Sequence, residues 1–241
     1  MTHNYRRQTT PMGAVVLIGV LLSGCHTGKS NRIYYNPYPE PHSLAVAPFV
    51  NQSGSPDIDV MAVTDEFYAE LQQVDGLEVV SVDRVLAELG RLELHTGIRG
   101  PGDALSLAEA LETDGIIVGS ITRYDPYFPP KLGMAVQLYG RDPGGREEPA
   151  KHLNPGEIAR SAKPFRLGAT EPYQARTAVI RIIDSDQNDV VERIKEYAES
   201  RRGNDRPPSW KTYTTRQNFL RFVSHEIIGE LLAQERDWLA K

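Results

Sequence analysis

"DGIIVGSITRYDPYFPPKLGMAVQLYG", residues 114–140, decides how this chain folds. Residues 114–124 are a mostly apolar run rich in β-branched side chains, as expected of a strand buried on both faces. "DPYFPP" (125–130) breaks that run, because proline can continue neither a ladder nor a helix. Leu132, Met134, Val136 and Leu138 then alternate strictly, which is the period of a strand. Two strands joined by so short a turn predict an antiparallel hairpin.

Upstream, "SLAVAPFV" (43–50) reads as an apolar strand that ends at Pro48 and "NQSGSPD". Ser55 and Pro56 read as N-cap and first residue of a helix, with Asp57 and Asp59 at the positive end of its dipole. Val60, Val63, Phe67, Leu71 and Val74 recur at spacings of three and four, giving one apolar helix face that stops at Gly76. "LEVVSV" (77–82) predicts the next strand, "VDRVLAELG" a short helix stopped by Gly90, and Asp103 the cap of a helix to about Glu112. Downstream, "ARTAVIRIID" (175–184) predicts a strand and "DQNDVVERIKEYAESR" a helix. Residues 214–239 form a long final helix with Phe219, Val223, Ile227 and Leu231 facing the core. Parallel βαβ units followed by a hairpin predict a single α/β domain. Its mixed sheet is flanked by helices and followed by a long C-terminal helix. No internal repeat of solenoid period is present.

The N-terminal thirty residues admit two readings. Gly28-Lys29-Ser30 could end a phosphate-binding loop, but the position that needs its first glycine is Ser23. No helix can follow either, since Pro37, Pro39 and Pro41 occupy every second position. The alternative fits throughout. Residues 1–12 carry Arg6 and Arg7 and no acidic residue, and residues 14–22 are an apolar stretch too short to span a bilayer. Leu22-Ser23-Gly24-Cys25 resembles the lipobox of bacterial lipoproteins. That resemblance implies cleavage after Gly24, a diacylglyceryl group on the Cys25 thiol and acylation of the new amino terminus. Two or three chains give the stable hold that one cannot.

The expected organisation is therefore a lipoprotein signal at 1–24, a flexible tether at 25–42 and an α/β domain at 43–241. By analogy with lipoprotein sorting rules, His26 after the cysteine implies the outer membrane, with the body on its periplasmic face. Cys25 is the only cysteine, so the body has no internal disulfide. Removing the signal takes 2 of the 27 basic residues and none of the 32 acidic ones, leaving 25 against 32 and a net charge of −7. Such a balance argues against nucleic acid as a partner.

No catalytic or metal-binding constellation emerges from the residues. His3 lies in the signal, His26 and His42 in the tether and His152 in a loop, which leaves His95 and His225 in the body. "SHEIIGE" (224–230) has Gly229 where a zinc protease needs its second histidine. His225 lies about 200° around the helix from Val223, so it is expected to face solvent. Asp184-x-Asp186-x-Asn188 opens like a calcium loop, yet Asp189 and Lys195 stand at the glycine and glutamate positions. No G-x-S-x-G elbow occurs. The expectation is a non-enzymatic chain with no cofactor and no metal.

"LAVAPFVNQSG", "FYAELQQVDGLEVVSVDRVLAEL" and "AEALETDGIIVGSITRYDPY" together resemble the α/β domain of the curli-secretion lipoprotein CsgG. Similar domains occur in lipoprotein activators of penicillin-binding proteins and at the N-terminus of TolB. The resemblance covers about residues 43–140. It implies a domain that binds envelope proteins or its own copies while its lipid anchor holds the membrane. A channel of the curli type is the alternative it suggests. However, residues 141–173 hold six basic and five acidic residues, with four prolines before Glu171, and cannot form a membrane wall. A second alternative is a small-ligand-binding or hydrolytic periplasmic protein with a lid at 141–174. That segment is expected to be either a disordered loop or such a lid.

Cys25→Ala should move the protein from the membrane pellet to the soluble envelope fraction with its fold intact. Intact-mass measurement of the wild type should show a chain starting at Cys25 with added lipid. An unmodified thiol on a chain that retains residues 1–24 would contradict the anchor.

Overall fold

The computed structural model describes residues 34–95, 97–140, 176–201 and 209–240. Contacts divide the chain into Met1–Ser30 and Asn31–Lys241, and every described residue belongs to the second unit. The expected signal, the lipobox residues Leu22, Ser23, Gly24 and Cys25, and the 141–174 loop lie outside the described residues.

Six strands form one mixed sheet. They are β1 (His42–Val46), β2 (Val50–Asn51), β3 (Leu77–Val79), β4 (Gly115–Asp125), β5 (Lys131–Gly140) and β6 (Thr177–Asp184). Their spatial order is β3-β1-β4-β5-β6, with β2 also beside β4. β1 runs parallel to β3 and β4, while β5 is antiparallel to both β4 and β6. Five helices accompany them among the described residues: α1 (Val60–Leu71), α2 (Val82–Arg91), α3 (Pro101–Ala110), α4 (Asn188–Ser200) and α5 (Arg216–Leu239). The α/β architecture with a mixed sheet and a long C-terminal helix is the one the sequence predicts.

The topology fixes which helix covers which face. From β1 the chain moves outward to β3, then returns past β1 to β4. Right-handed crossovers in opposite directions put their helices on opposite faces of the sheet. Phe67 and Leu71 of α1, Ile194 of α4 and Phe222 and Ile227 of α5 accordingly share a core with Val46, Ile117 and Met134. On the other face Val85 and Leu89 of α2 and Leu107 of α3 pack on Ala45, Ile116 and Val118. Burial of this kind contributes about 1.5–3 kcal/mol per large side chain.

β5 is buried along nearly its whole length, on both faces. Leu132, Met134, Val136 and Leu138 enter the larger core, while Gly133, Ala135, Gln137 and Tyr139 turn the other way, Tyr139 into the smaller core. A register shift between Ile121 and Arg123 returns Tyr124 to the larger core.

Local starts and stops differ from the sequence expectations in instructive ways. Ser55 and Pro56 do not begin α1. Asn51 ties up the turn instead, its Nδ2 donating to the Ser55 carbonyl at 2.8 Å, and Asp59 caps the helix by accepting the Ala62 N–H at 3.0 Å. Asp103 is likewise not a cap. Gly100 holds that position, Pro101 opens α3, and the Asp103 carboxylate reaches back to the Arg99 N–H at 3.0 Å. β3 ends at Val79, short of the expected bound, and Val82 belongs to α2. The final helix begins at Arg216, after a 3-10 turn at Trp210–Thr214.

Gly119 is where β4 must approach its neighbour most closely, since a Cβ there would run into the Phe49 ring. Phe49 in turn packs edge-on against Phe67, with ring centroids 5.1 Å apart. Gly119→Ala should therefore cost about 1–3 kcal/mol, the usual range for an overpacked core. Urea denaturation of the purified protein measures the loss, and an unchanged midpoint would contradict the contact.

Candidate functional site

Two places gather unusual side chains. One is where the N-terminal segment meets the body, and the other is the far margin of the sheet. The segment expected to be tether is packed from Tyr34 onward. Asn36 donates through Nδ2 to the Glu40 and Gly76 carbonyls at 2.7 and 2.9 Å and through its main-chain N–H to the Asp75 carbonyl at 2.8 Å, while the Asp75 N–H donates to the Tyr34 carbonyl at 3.0 Å. Tyr34 stacks on His225 with ring centroids 4.5 Å apart, and it does so in a notch. A Cβ at Gly229 would collide with the Tyr34 ring, so only glycine leaves that space.

The next residues close on a buried charge. Tyr38 donates its hydroxyl proton to Glu235 at 2.6 Å, and Arg176 forms an ion pair with the same carboxylate. The two ionic side chains are 6% and 0% exposed. Arg176 also lies over the Trp238 ring at 4.9 Å and over the Tyr38 ring at 5.2 Å. Burial, followed by the Glu235 charge, holds the Tyr38 hydroxyl well above the usual tyrosine range. Tyr38 stacks on His42 at 3.5 Å, and burial pushes that imidazole down to about 4. Three distant parts of the chain are thus tied at one point.

His225 is not on the solvent side. It is 6% exposed, because α1, α4 and the Tyr34 segment surround α5 on several faces rather than one. Its Nδ1 lies 3.7 Å from Glu70, and Tyr197 tilts against it at 4.9 Å. Glu70 also accepts from Tyr197 at 3.0 Å and pairs with Arg201, while Glu66 accepts from Arg221 at 2.5 Å and from Gln217 at 2.7 Å. A histidine beside a carboxylate is the arrangement of a general base. This one is covered by two aromatic rings and packs where α1, α4 and α5 converge. The residues of the supposed calcium loop do other work: Asp184 pairs with Lys131 at 2.6 Å, and this hydrogen bond draws its pKa below the ordinary range. No group of three or more metal-ligating side chains occurs among the described residues, and no described helix is long and apolar enough to cross a membrane.

The second place is the margin formed by β6 and the β4–β5 turn. Val179 and Ile183 of β6 enter the core, while Ile180 and Ile182 on the opposite face are 40% and 57% exposed. The register Lys131↔Asp184 sets the turn beside the end of β6. There Tyr127 and Phe128 are 76% and 77% exposed. Four large apolar side chains therefore stand open at one corner. The other exposed ones, Tyr35, Met61 and Leu86, sit on separate elements.

Sequence reasoning missed both places for different reasons. Glu235 had a legible signal, since it continues the spacing of Phe219, Val223, Ile227 and Leu231, and a carboxylate on a core stripe demands a partner. "AVIRII" gave none, because an apolar run looks the same in a central strand and at an edge.

Glu235→Ala leaves the Arg176 charge buried without its carboxylate and should cost about 3–5 kcal/mol. Replacing both, Glu235→Leu with Arg176→Met, should restore most of that stability. Thermal denaturation of the three proteins compares them, and a single variant as stable as the wild type would contradict the clasp.

No family model matches the chain, and no curated protein does. Solved structures that resemble it at a distance include the following three. Lipoprotein GNA1162 of Neisseria meningitidis is 14% identical with a TM-score of 0.34, over 60% of this chain and 81% of that one. The hypothetical protein CT253 of Chlamydia trachomatis is 11% identical with a TM-score of 0.40, over 82% of this chain and 96% of that one. The PelC dodecamer of Paraburkholderia phytofirmans is 11% identical with a TM-score of 0.32, over 82% and 88%. A bacterial lipoprotein is thus among the distant structural neighbours, and none of these likenesses establishes the curli-secretion or TolB family.

Proposed function

We propose that this chain is a lipid-anchored protein of the bacterial envelope, held on the periplasmic face of the outer membrane, that docks other envelope proteins without catalysing a reaction. The anchor half of this reading is supported by Leu22-Ser23-Gly24-Cys25 and the apolar run before it. The docking half is carried by one observation: Ile180, Ile182, Tyr127 and Phe128 are exposed together at one corner. Apolar side chains grouped in this way mark interaction surfaces, whereas scattered ones are ordinary. Aromatic residues in particular supply large contact area at low entropic cost.

A curli-type channel, the alternative drawn from the resemblance, needs hairpins whose outer residues face lipid. The β4–β5 hairpin is unsuited to that task, because from Gly115 to Ile121 and from Leu132 to Tyr139 it is buried in the body. A carboxylate–histidine contact could have supported hydrolysis, but His225 is covered.

Photo-crosslinking in intact cells tests the docking reading. A photoreactive residue at 127, 128 or 182 should yield adducts with other envelope proteins, and one at 86, exposed on α2, should not. Tyr127→Ser should reduce the adducts formed from position 182. Equal yields from 86 and from the corner would overturn the reading.

A further inference from the structure

The corner has a second property besides its apolar side chains. β6 is the last strand on its side of the sheet among the described residues, with β5 as its neighbour. Edge strands of monomeric proteins are normally short, bulged, proline-bearing or armed with lysine, because an open edge invites another strand. β6 has none of these protections. It is eight residues long, "TAVIRIID", pairs with β5 in an unbroken register from Thr177 to Asp184, and contains no proline or lysine. Its one central charge, Arg181, is neutralised by Glu230 at 2.6 Å. The opposite edge of the sheet is managed differently: β3 has three residues, and Glu78 at its centre is exposed.

We propose that β6 pairs with β6 of a second copy of this chain, antiparallel, about a two-fold axis at Ile180. The inference rests on reading this margin as an interaction surface, and it names one occupant of the strand edge. A two-fold axis perpendicular to the sheet keeps each face on its own side, so residues whose numbers sum to twice that of the central residue stand opposite each other. With Ile180 at the centre, Ile180 meets its counterpart, and Ala178 of each copy meets Ile182 of the other. The three apolar positions of the open face then form one continuous ladder, and such cross-strand pairs each contribute about 0.2–1 kcal/mol. Arg181 stands opposite Val179.

Neighbouring registers are penalised by the same residues. Centring on Arg181 sets two guanidinium groups against each other, and like charges directly opposite are destabilising. Centring on Ile182 sets Ile180 against Asp184, and centring on Val179 leaves Ile182 without an apolar partner. Arg181 therefore fixes the register that the isoleucines favour. β3 offers three residues against eight, so a head-to-tail ring or filament built from β6 onto β3 would leave most of β6 unpaired. The closed dimer is the assembly this edge specifies.

The test uses the full chain carrying Cys25→Ala, which removes the only native thiol. Directly opposed residues of an antiparallel pair have Cα atoms about 4.5–5.5 Å apart, within disulfide range. Ile180→Cys in that background should cross-link to itself on mild oxidation. Ala178→Cys alone should not, because its counterpart lies about 13 Å along the strand. Ala178→Cys combined with Ile182→Cys should cross-link. Without thiols, the Cys25→Ala protein should sediment as a dimer at micromolar concentration, and Ile180→Lys should make it a monomer with an unchanged circular dichroism spectrum. A monomeric Cys25→Ala protein, or cross-linking no faster at 180 than at 178, overturns the dimer. Adducts to other proteins from positions 127 and 128 would then still support docking, so failure of one idea does not entail failure of the other.

Discussion

A carboxylate with no solvent around it must find its counter-charge inside the protein, and Glu235 finds it in Arg176. The cost of taking both ions out of water is several kcal/mol each, so the pair needs further partners to be tolerable. Tyr38 and Trp238 supply part of that support, one by donating a hydroxyl proton to Glu235 Oε1 and the other by offering a ring face to Arg176, while Glu235 Oε2 makes no hydrogen bond among the described residues. The requirement reaches well beyond the four residues. Arg176 immediately precedes β6, Glu235 lies in the last turns of α5, and Tyr38 precedes β1. Satisfying one charge therefore sets where the sheet's last strand begins, how far the final helix runs and how the chain approaches its first strand.

A second polar seam does the same for the helix layer. Glu66 and Glu70 lie on one side of α1, facing Arg221 and His225 of α5 and Tyr197 and Arg201 at the end of α4. Apolar contacts would hold these three helices with little preference for their relative rotation. Carboxylates that accept several hydrogen bonds each are less permissive, because a shift of one turn would leave a buried charge unpaired. The covering of His225 follows directly, since it sits where the three helices and the N-terminal segment converge.

Much of the fold could be read from local pattern. The β5 strand has the bounds the sequence assigns to it, and the apolar faces of α1 and α5 are the predicted ones, because periodicity reports burial directly. What local pattern could not convey is who stands next to whom. Proline at every second position made residues 37–41 look like pure linker, yet an extended segment can still be packed if something distant receives it, as α5 receives Tyr34 and Tyr38. His225 was misread for the same reason, since helix geometry gives a direction without saying what lies there. Caps were displaced by three or four residues, from Ser55 to Asp59 and from Asp103 to Gly100, because turns upstream absorbed the expected capping groups.

The Gly229 notch has one further implication. Tyr34 occupies it on the helix layer, so the first described residue of the chain lies against α5, on the face of the sheet that α1 covers. Copies of a chain anchored in one leaflet can obey a two-fold axis only if that axis runs along the membrane normal. If Cys25 carries the anchor and β6 strands pair across such an axis, it also stands perpendicular to the sheet, and the sheet then lies parallel to the bilayer. Along that axis the face bearing Tyr34 and α5 and the face bearing Ile180 and Ile182 point in opposite directions.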